Sequence, residues 1–279
     1  MTSPQDALES DTVATANRGD IVPAQTDSHA SDPDSWLTSR FRQALRYLAI
    51  ARPHHYGKNV LVVAGVILAC IHRPGVFAAH TLFVVGWGLA ATCLIASSNY
   101  VLNEILDARS DRFHRSKRDR PIAAGYISPM AAAGEWLILG AVGLSIAASI
   151  GWSFFIIAVL FQLMAIFYNV PPLRLKDFPY LDVLSEAVNS PLRLLLGWLI
   201  VLPSERPDIW LILIFWMAGA FEMARKRLME FRFLRDPTVA AGYRKSFGHY
   251  DERRLKSSMA VYASMLAALG AIEAWKLWP

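Results

Sequence analysis

Seven long apolar segments constrain the fold of this chain more than any other feature of its sequence. They lie near residues 56–72, 79–101, 129–149, 152–169, 181–202, 208–224 and 257–277. A helix needs about 20 mostly apolar residues to cross the roughly 30 Å hydrocarbon core of a bilayer. Since 54% of the 279 residues are hydrophobic and only 18% are charged, a water-soluble globule is disfavoured. We therefore predict an all-α, polytopic membrane helical bundle with about seven transmembrane helices.

The residues that precede these segments have a different composition. Residues 1–35 are polar and acidic and contain no apolar run that could pack, so we predict a disordered tail. They also lack the basic start and apolar stretch of a secretory signal. Residues 36–51 mix arginines with apolar side chains, which is typical of an amphipathic helix lying on a membrane surface. The prediction is a tail, 1–35, followed by one membrane domain, 36–279.

Basic residues are concentrated in every second connection between the apolar segments. They crowd 109–120, 174–176 and 225–256, whereas the intervening connections hold only Arg73 and Arg206. By the positive-inside rule, the basic connections and the N-terminus face the cytoplasm. The formal net charge of +5 therefore indicates membrane topology and not nucleic-acid binding.

An acidic motif stands at the cytoplasmic end of the second apolar segment. Asn103, Asp107 and Asp111 are spaced i, i+4 and i+8, so their side chains share one helical face. Such stacked carboxylates repel each other unless a cation lies between them, and Mg²⁺ commonly joins one or two carboxylates to substrate phosphates. The alternative is a solvated helix end neutralised by Arg109 and Arg112. Acids at the mouth of a membrane span are costly, which favours a functional role.

The long third basic connection contains Lys226-Arg227-x-x-Glu230. Lysine supplies a point charge and arginine a two-pronged donor, and both suit a phosphate-rich substrate. The alternative is that these cations only set the topology and touch anionic lipid headgroups. For Lys226, with Glu230 one turn further on, we favour a site.

Two further cations lie at or inside the apolar segments. Lys58 begins the first segment, where a lysine often extends its amine to the interface. Arg193 lies inside the fifth segment, with Asp182 and Glu186 on the same predicted helix. Arg193 therefore either forms a buried ion pair there or contacts phosphate in a cavity, and both readings stay open.

The acidic motif and the stretch after it resemble a known family signature. The pattern N-E-x-x-D-x-x-x-D at 103–111, followed by K-R-D-R-P-I-A-A-G at 117–125, is similar to the first signature of the UbiA superfamily of membrane prenyltransferases. The resemblance implies that Mg²⁺ held by these aspartates binds the pyrophosphate of a donor. Glu104 stands where many members have aspartate, which preserves the charge.

Other stretches resemble one branch of that superfamily, the decaprenyl-phosphate phosphoribosyltransferases. They begin at Arg52, Leu175 and Ala224, and the similarity runs from about Arg52 to Trp275. The last stretch is followed by Arg244, Lys245, Ser246 and Tyr250, which also resemble this branch. The resemblance implies a bacterial inner-membrane enzyme that transfers 5-phosphoribose from phosphoribosyl pyrophosphate to a polyprenyl phosphate lipid. The product would lead to lipid-linked arabinose, and some rhizobial relatives are linked to arabinosylation of nodulation factors.

The resemblance also implies roles for particular residues. Asp107, Asp111 and Lys226 would be catalytic, with Asn103, Asp107 and Asp111 holding the magnesium ion. The remaining substrate-binding candidates are Lys58, Arg118, Lys176, Asp182, Arg193, Arg227 and Glu230. Among them, Lys176 and Arg227 would join Lys226 in binding the sugar 5-phosphate or the lipid phosphate.

Two alternative functions remain at this point. The first is a prenyltransferase that uses prenyl pyrophosphate on an aromatic acceptor, which explains the aspartates but not the basic third connection. The second is a non-catalytic transporter or scaffold built on a shortened version of the fold. Family members generally have nine spans and this sequence ends after the seventh predicted one, so we expect a homo-oligomer to close the bundle or activity to be impaired.

Overall fold

The computed structural model describes residues 33–76, 78–112, 117–234 and 242–277, and all regular secondary structure in these ranges is helical. The chain divides into two compact units, Met1–Ser39 and Arg40–Pro279. Of the predicted tail, residues 1–32 lie outside the described ranges. The predicted all-α fold is confirmed for the described part of the chain.

Nine α-helices account for most of the described residues. They are α1 Pro33–Ala51, α2 Val60–His72, α3 Ala79–Asp111, α4 Pro129–Ile150, α5 Trp152–Asn169, α6 Leu181–Ala187, α7 Asn189–Val201, α8 Ile209–Leu234 and α9 Glu252–Leu277. Three short 3₁₀ helices, Pro53–Asn59, Leu175–Asp177 and Lys245–His249, lie in the connections. These short helices carry several of the candidate site residues.

Five helical segments of the described chain are long and apolar enough to cross a membrane. They are Thr38–His72, Ala79–Asp111, Pro129–Ile150, Trp152–Asn169 and Glu252–Lys276. The predicted segment 181–202 is divided at Val188 into the shorter helices α6 and α7, and segment 208–224 forms only the first part of α8. The chain is a multi-pass membrane protein, and the number of seven spans stays a prediction.

The length of α3 exceeds the thickness of the hydrocarbon core of a bilayer. The helix has 33 residues, which is about 50 Å at 1.5 Å per residue. A bilayer core is only about 30 Å thick, so roughly 20 Å of the helix projects beyond it. Since Asn103, Asp107 and Asp111 occupy the last turns, we expect their side chains to lie in the part of the helix that projects.

Two glycines allow α2 and α7 to pack with their backbones almost in contact. A Cβ atom at Gly197 would lie 1.8 Å from the carbonyl oxygen of Val62, and one at Gly65 would lie 2.1 Å from that of Leu194. No other residue fits at such distances, and small residues are the usual means of close helix approach in membranes. This contact fixes α7, which carries Arg193, against the start of α2.

We expect Gly197→Val to destabilise the bundle by ~1–3 kcal/mol, as is typical of overpacking, because the added carbons would force α2 and α7 apart. The measurement is the apparent melting temperature of the purified protein in detergent. The matched control is Gly134→Ala in α4, where an added Cβ meets nothing within 4 Å. Equal melting temperatures for Gly197→Val and the wild type would contradict the tight α2–α7 contact.

Candidate functional site

The acidic face of α3 is paired with cations from two connections. Asp107 Oδ1 accepts a hydrogen bond from Lys176 Nζ at 2.5 Å and lies 3.7 Å from Arg174 Nη2. Asp111 Oδ2 accepts from Arg120 Nη1 at 2.5 Å. Charged hydrogen bonds of this kind are among the stronger ones in proteins. The structure thus brings Lys176, predicted as a substrate ligand, directly to the aspartate motif.

The ion pairs leave ligand atoms for a metal. Each uses a single carboxylate oxygen, so one oxygen of Asp107 and one of Asp111 have no partner in the described part of the chain, and neither has the Asn103 side chain. One or two carboxylates with a neutral oxygen are a donor set that suits Mg²⁺, which takes its other ligands from water and phosphate. Among the described residues, no three His, Cys, Asp or Glu side chains form a ready metal cluster. The residues fit an ion that arrives with a phosphorylated ligand.

Glu104, the fourth polar residue of the motif, has a structural position. Its buried carboxylate accepts from Arg52 Nη2 at 2.8 Å and from the backbone N–H of Ile122 at 3.4 Å. It therefore ties the end of α1 and the basic connection to α3. Through its bond to Ile122, Glu104 positions the connection that carries Arg120, the partner of Asp111.

A second polar cluster centres on Asp182 of α6, which is fully buried. Its carboxylate accepts from Arg227 Nε at 3.0 Å, from Tyr250 OH at 2.7 Å and from Ser246 Oγ at 3.2 Å. Arg244 Nη1 lies 3.8 Å away. Burying a carboxylate is tolerated only when it is paired and hydrogen-bonded, and this one is.

Arg227 of α8 is also saturated by protein contacts. Besides Asp182, its guanidinium donates to Glu230 Oε2 at 3.0 Å and to Tyr168 OH at 3.1 Å. Asp182, Arg227 and Glu230, all predicted as substrate ligands, are thus brought together as one network. Lys226, the neighbouring cation, is exposed, and its Nζ is 4.0 Å from Glu230 Oε1.

One of the two roles predicted for Arg193 was a buried ion pair with a carboxylate of the same helix, but its side chain has other partners. Asp182 is bound to Arg227, and Arg193 Nε instead donates to Asn59 Oδ1 at 2.9 Å while Nη1 donates to the carbonyl oxygen of Asn189 at 3.1 Å. Its Nη2 has no hydrogen-bond partner in the described ranges. The buried guanidinium therefore keeps one donor group for a ligand.

Of the remaining predicted cations, Lys58 lies near Arg193 and Lys226, whereas Arg118 does not. Lys58 lies beside Asn59 and is close enough to Lys226 and Arg193 for their charges to act on it. Arg118 has an exposed side chain, and its Nε lies 4.0 Å from Oδ1 of the exposed Asp119. The structure brings Lys58 towards α7 and α8 and leaves Arg118 apart from both clusters.

Two residues near the site, Lys117 and Arg244, lie in stretches that resemble the family but were not predicted as site residues. Lys117 stacks on Tyr243 with its Nζ 4.4 Å from the ring centroid and is influenced by the charge of Asp111. Arg244 donates to Tyr168 OH at 3.1 Å. These residues belong to the basic connections, but a run of cations gives no spacing that distinguishes a site residue from its neighbours.

Burial changes the electrostatics of two lysines near the aspartates. It lowers the pKa of Lys176 below the usual lysine value, although the charge of Asp107 opposes that shift. Burial also lowers the pKa of Lys117. Desolvated cations of this kind are stabilised by an anionic ligand, and perturbed groups in a cleft mark candidate functional sites.

Comparisons with known proteins identify the family of the chain and its fold. Residues 60–279 match the UbiA prenyltransferase family. The decaprenyl-phosphate phosphoribosyltransferase of Mycolicibacterium smegmatis is 28% identical over 231 residues, which cover 81% of this chain and 68% of that protein. The nodulation protein NoeC of Azorhizobium caulinodans is 32% identical over 125 residues, which cover 44% of this chain and 39% of that protein.

The relatives extend beyond the matched part. The chain spans only 28% of an uncharacterized protein of Sinorhizobium fredii, to which it is 31% identical over 151 residues. Among solved structures, a UbiA homolog from Archaeoglobus fulgidus bound to DMAPP and Mg²⁺ superimposes with a TM-score of 0.66 at 21% identity, covering 81% of this chain and 77% of that one. The predicted family resemblance and membrane helical fold are confirmed.

We expect Arg227→Ala to destabilise the protein by about 3–5 kcal/mol, because it leaves the buried carboxylate of Asp182 without its charged partner. The measurement is the loss of helical circular dichroism on heating in detergent. Arg225→Ala is the matched control, since Arg225 lies on the same helix but is exposed, where it pairs with exposed Glu222 and contacts the Met229 sulfur. A melting curve for Arg227→Ala that matches the control would refute the structural role of the pair.

Proposed function

Because the chain belongs to the UbiA prenyltransferase family, we propose that it is a Mg²⁺-dependent membrane transferase that moves 5-phosphoribose from phosphoribosyl pyrophosphate to a polyprenyl phosphate. The membrane transferase class follows from the family. The choice of phosphoribose as the transferred group rests on three cations, Lys58, Arg193 and Lys226.

The observation that carries the proposal is the presence of two sets of cations. The first set, Lys176 and Arg174, accompanies Asp107. The second set, Lys58, Arg193 and Lys226, comes from three different elements, and the charges of Arg193 and Lys226 act on Lys58. Phosphoribosyl pyrophosphate carries phosphate at both ends of its sugar, so it would use both sets. A prenyl pyrophosphate carries phosphate at one end and would leave the second set without a ligand.

In this proposal the chain works by positioning two polyanions. A magnesium ion held by Asn103, Asp107 and Asp111 would neutralise charge on the departing pyrophosphate. Lys176 orients the pyrophosphate, and Lys226 and Lys58 hold the sugar 5-phosphate or the lipid phosphate. An oxygen of the lipid phosphate forms a bond to the anomeric carbon of the ribose as the bond to pyrophosphate breaks. The attacking group is already an anion, so alignment supplies much of the catalysis.

Arg227 and Asp182 enter the proposal as positioning residues. Their polar atoms are occupied by each other and by Tyr168, Glu230 and Tyr250. They hold α8 against α6, which fixes the turn that presents Lys226. Arg193 reaches the ligand through its remaining Nη2 group.

The setting of the reaction is part of the proposal. The basic connections face the cytoplasm of a bacterial inner membrane by the positive-inside rule. The lipid-linked phosphoribose then serves the synthesis of arabinose donors. Similarity to a nodulation protein over 44% of the chain favours signal glycoconjugates as one destination.

The proposal predicts that the purified protein, with Mg²⁺, radiolabelled phosphoribosyl pyrophosphate and a polyprenyl phosphate, forms a labelled lipid. Asp107→Asn should reduce the rate by about 100-fold or more, because it removes a charge that organises the site. The matched control is Asp119→Asn, whose side chain is 86% exposed in the same stretch of sequence. It should retain the wild-type rate.

Two other outcomes identify the alternatives. Absence of a labelled lipid together with prenylation of an aromatic acid from a prenyl pyrophosphate would make the protein a prenyltransferase. Absence of both products, with cooperative thermal unfolding showing that the protein is folded, would support a non-catalytic role.

We expect the KM for phosphoribosyl pyrophosphate to rise at alkaline pH, because protonated Lys176 provides the charge that binds phosphate. Burial lowers its pKa, so the loss should begin at a lower pH than for a free lysine. In Lys176→Arg the rise should move to higher pH, since an arginine stays protonated. Lys245→Arg, at a side chain that is 80% exposed, is the control. An identical pH profile for Lys176→Arg and the wild type would exclude Lys176 as the titrating group.

A further inference from the structure

One polar face runs along α6 and α7, and the residues at both of its ends are hydrogen-bonded to other parts of the protein. Asp182, Glu186, Asn189 and Arg193 are spaced i, i+4, i+7 and i+11, and Val188 between the helices has helical angles, so the four share one face. Asp182 accepts from Arg227 at one end, and Arg193 donates to Asn59 at the other.

Glu186 is the member of this face whose side chain is not engaged. Its backbone carbonyl accepts from Asn189 Nδ2 at 3.0 Å, but its half-buried carboxylate forms no hydrogen bond or ion pair in the described part of the chain. Its charge acts on Lys58, Lys226 and Arg193. Because Asp182 and Arg193 are held by protein partners on either side of it, the space beside this carboxylate is left for a ligand.

The chemistry of that space restricts the ligand. The cations attract phosphate, whereas the carboxylate repels phosphate and accepts hydrogen bonds from hydroxyl groups. A ligand that satisfies both must carry hydroxyls next to its phosphates, as a phosphorylated sugar does. A prenyl pyrophosphate has no hydroxyl to offer and would leave the half-buried carboxylate unpaired at a cost.

We propose that Glu186 accepts hydrogen bonds from the ribose hydroxyls of the donor and thereby selects a phosphorylated sugar over a prenyl pyrophosphate. This inference rests on the proposed function and assigns the specificity of the same site. Sites built to bind a substrate hydroxyl discriminate strongly against analogues that lack it.

A purely electrostatic role for Glu186 makes a different prediction. If the carboxylate only balanced the cations, its removal would change the binding of every anion by a similar factor. A hydrogen bond to ribose affects the donor and leaves inorganic pyrophosphate, which has no sugar, unaffected. The ratio of the two affinities therefore separates the roles.

The test uses the full chain and compares Glu186→Ala and Glu186→Asp with the wild type. We expect both variants to raise the KM for phosphoribosyl pyrophosphate about tenfold or more, because Asp keeps the charge but withdraws the carboxylate from the hydroxyls. The KM for the lipid and the inhibition constant of inorganic pyrophosphate should stay within about threefold of the wild type. Glu222→Gln, an exposed change on α8, should alter neither.

Several results would overturn the inference. They are a wild-type KM in both variants, equal shifts for donor and pyrophosphate, or full rescue by Glu186→Asp. Should Glu186→Ala fail to fold, Glu186→Asp alone decides. If the wild type makes no labelled lipid, the proposed function fails, and thermal-shift titration with phosphoribosyl pyrophosphate and with pyrophosphate still measures whether Glu186 distinguishes them.

Discussion

The buried ion pair between Arg227 and Asp182 is the interaction on which the arrangement of the site depends. A buried pair repays its desolvation only when further hydrogen bonds satisfy the remaining polar atoms. Here Tyr250 and Ser246 donate to the carboxylate, and Glu230 accepts from the guanidinium. The network fastens α6 to α8 and to the chain that follows α8. It thereby fixes the polar face of α6 and the exposed Lys226 in one frame.

The charges around this frame are balanced only in part. On the α3 side, each aspartate already has a cation, and one oxygen of each carboxylate has no partner in the described part of the chain. On the α6 and α7 side, Lys226 and Arg193 each repel Lys58, and the Glu186 carboxylate acts on all three cations. Like charges held together by a fold are stabilised by a ligand of opposite charge, since the ligand binds only the folded state. A polyanion of the kind that the proposed function requires would therefore stabilise both sets of cations.

The sequence predicted what local spacing determines. The helical fold, five of the seven apolar segments and the shared face of Asn103, Asp107 and Asp111 all follow from periodicities within one segment. Contacts between residues far apart along the chain could not be predicted from such local patterns. The Lys176–Asp107 contact joins residues 69 positions apart, and only the packing of α3 near the connection after α5 brings them together.

Arg193 illustrates why helical proximity misleads in such a bundle. The sequence placed Asp182 and Glu186 on the same helix as Arg193. However, Glu186 is seven positions away, about two turns, and Asp182 is eleven positions away, about three turns, so both lie beyond the reach of a direct pair. Its partner Asn59 instead comes from the segment just before α2. That contact exists because Gly197, one turn after Arg193, lets α7 approach the backbone of α2. Close helix packing between two glycines thus determines which end of the polar face is anchored. It also leaves the Glu186 carboxylate, midway along that face, without a protein partner in the described chain, where a ligand hydroxyl can reach it.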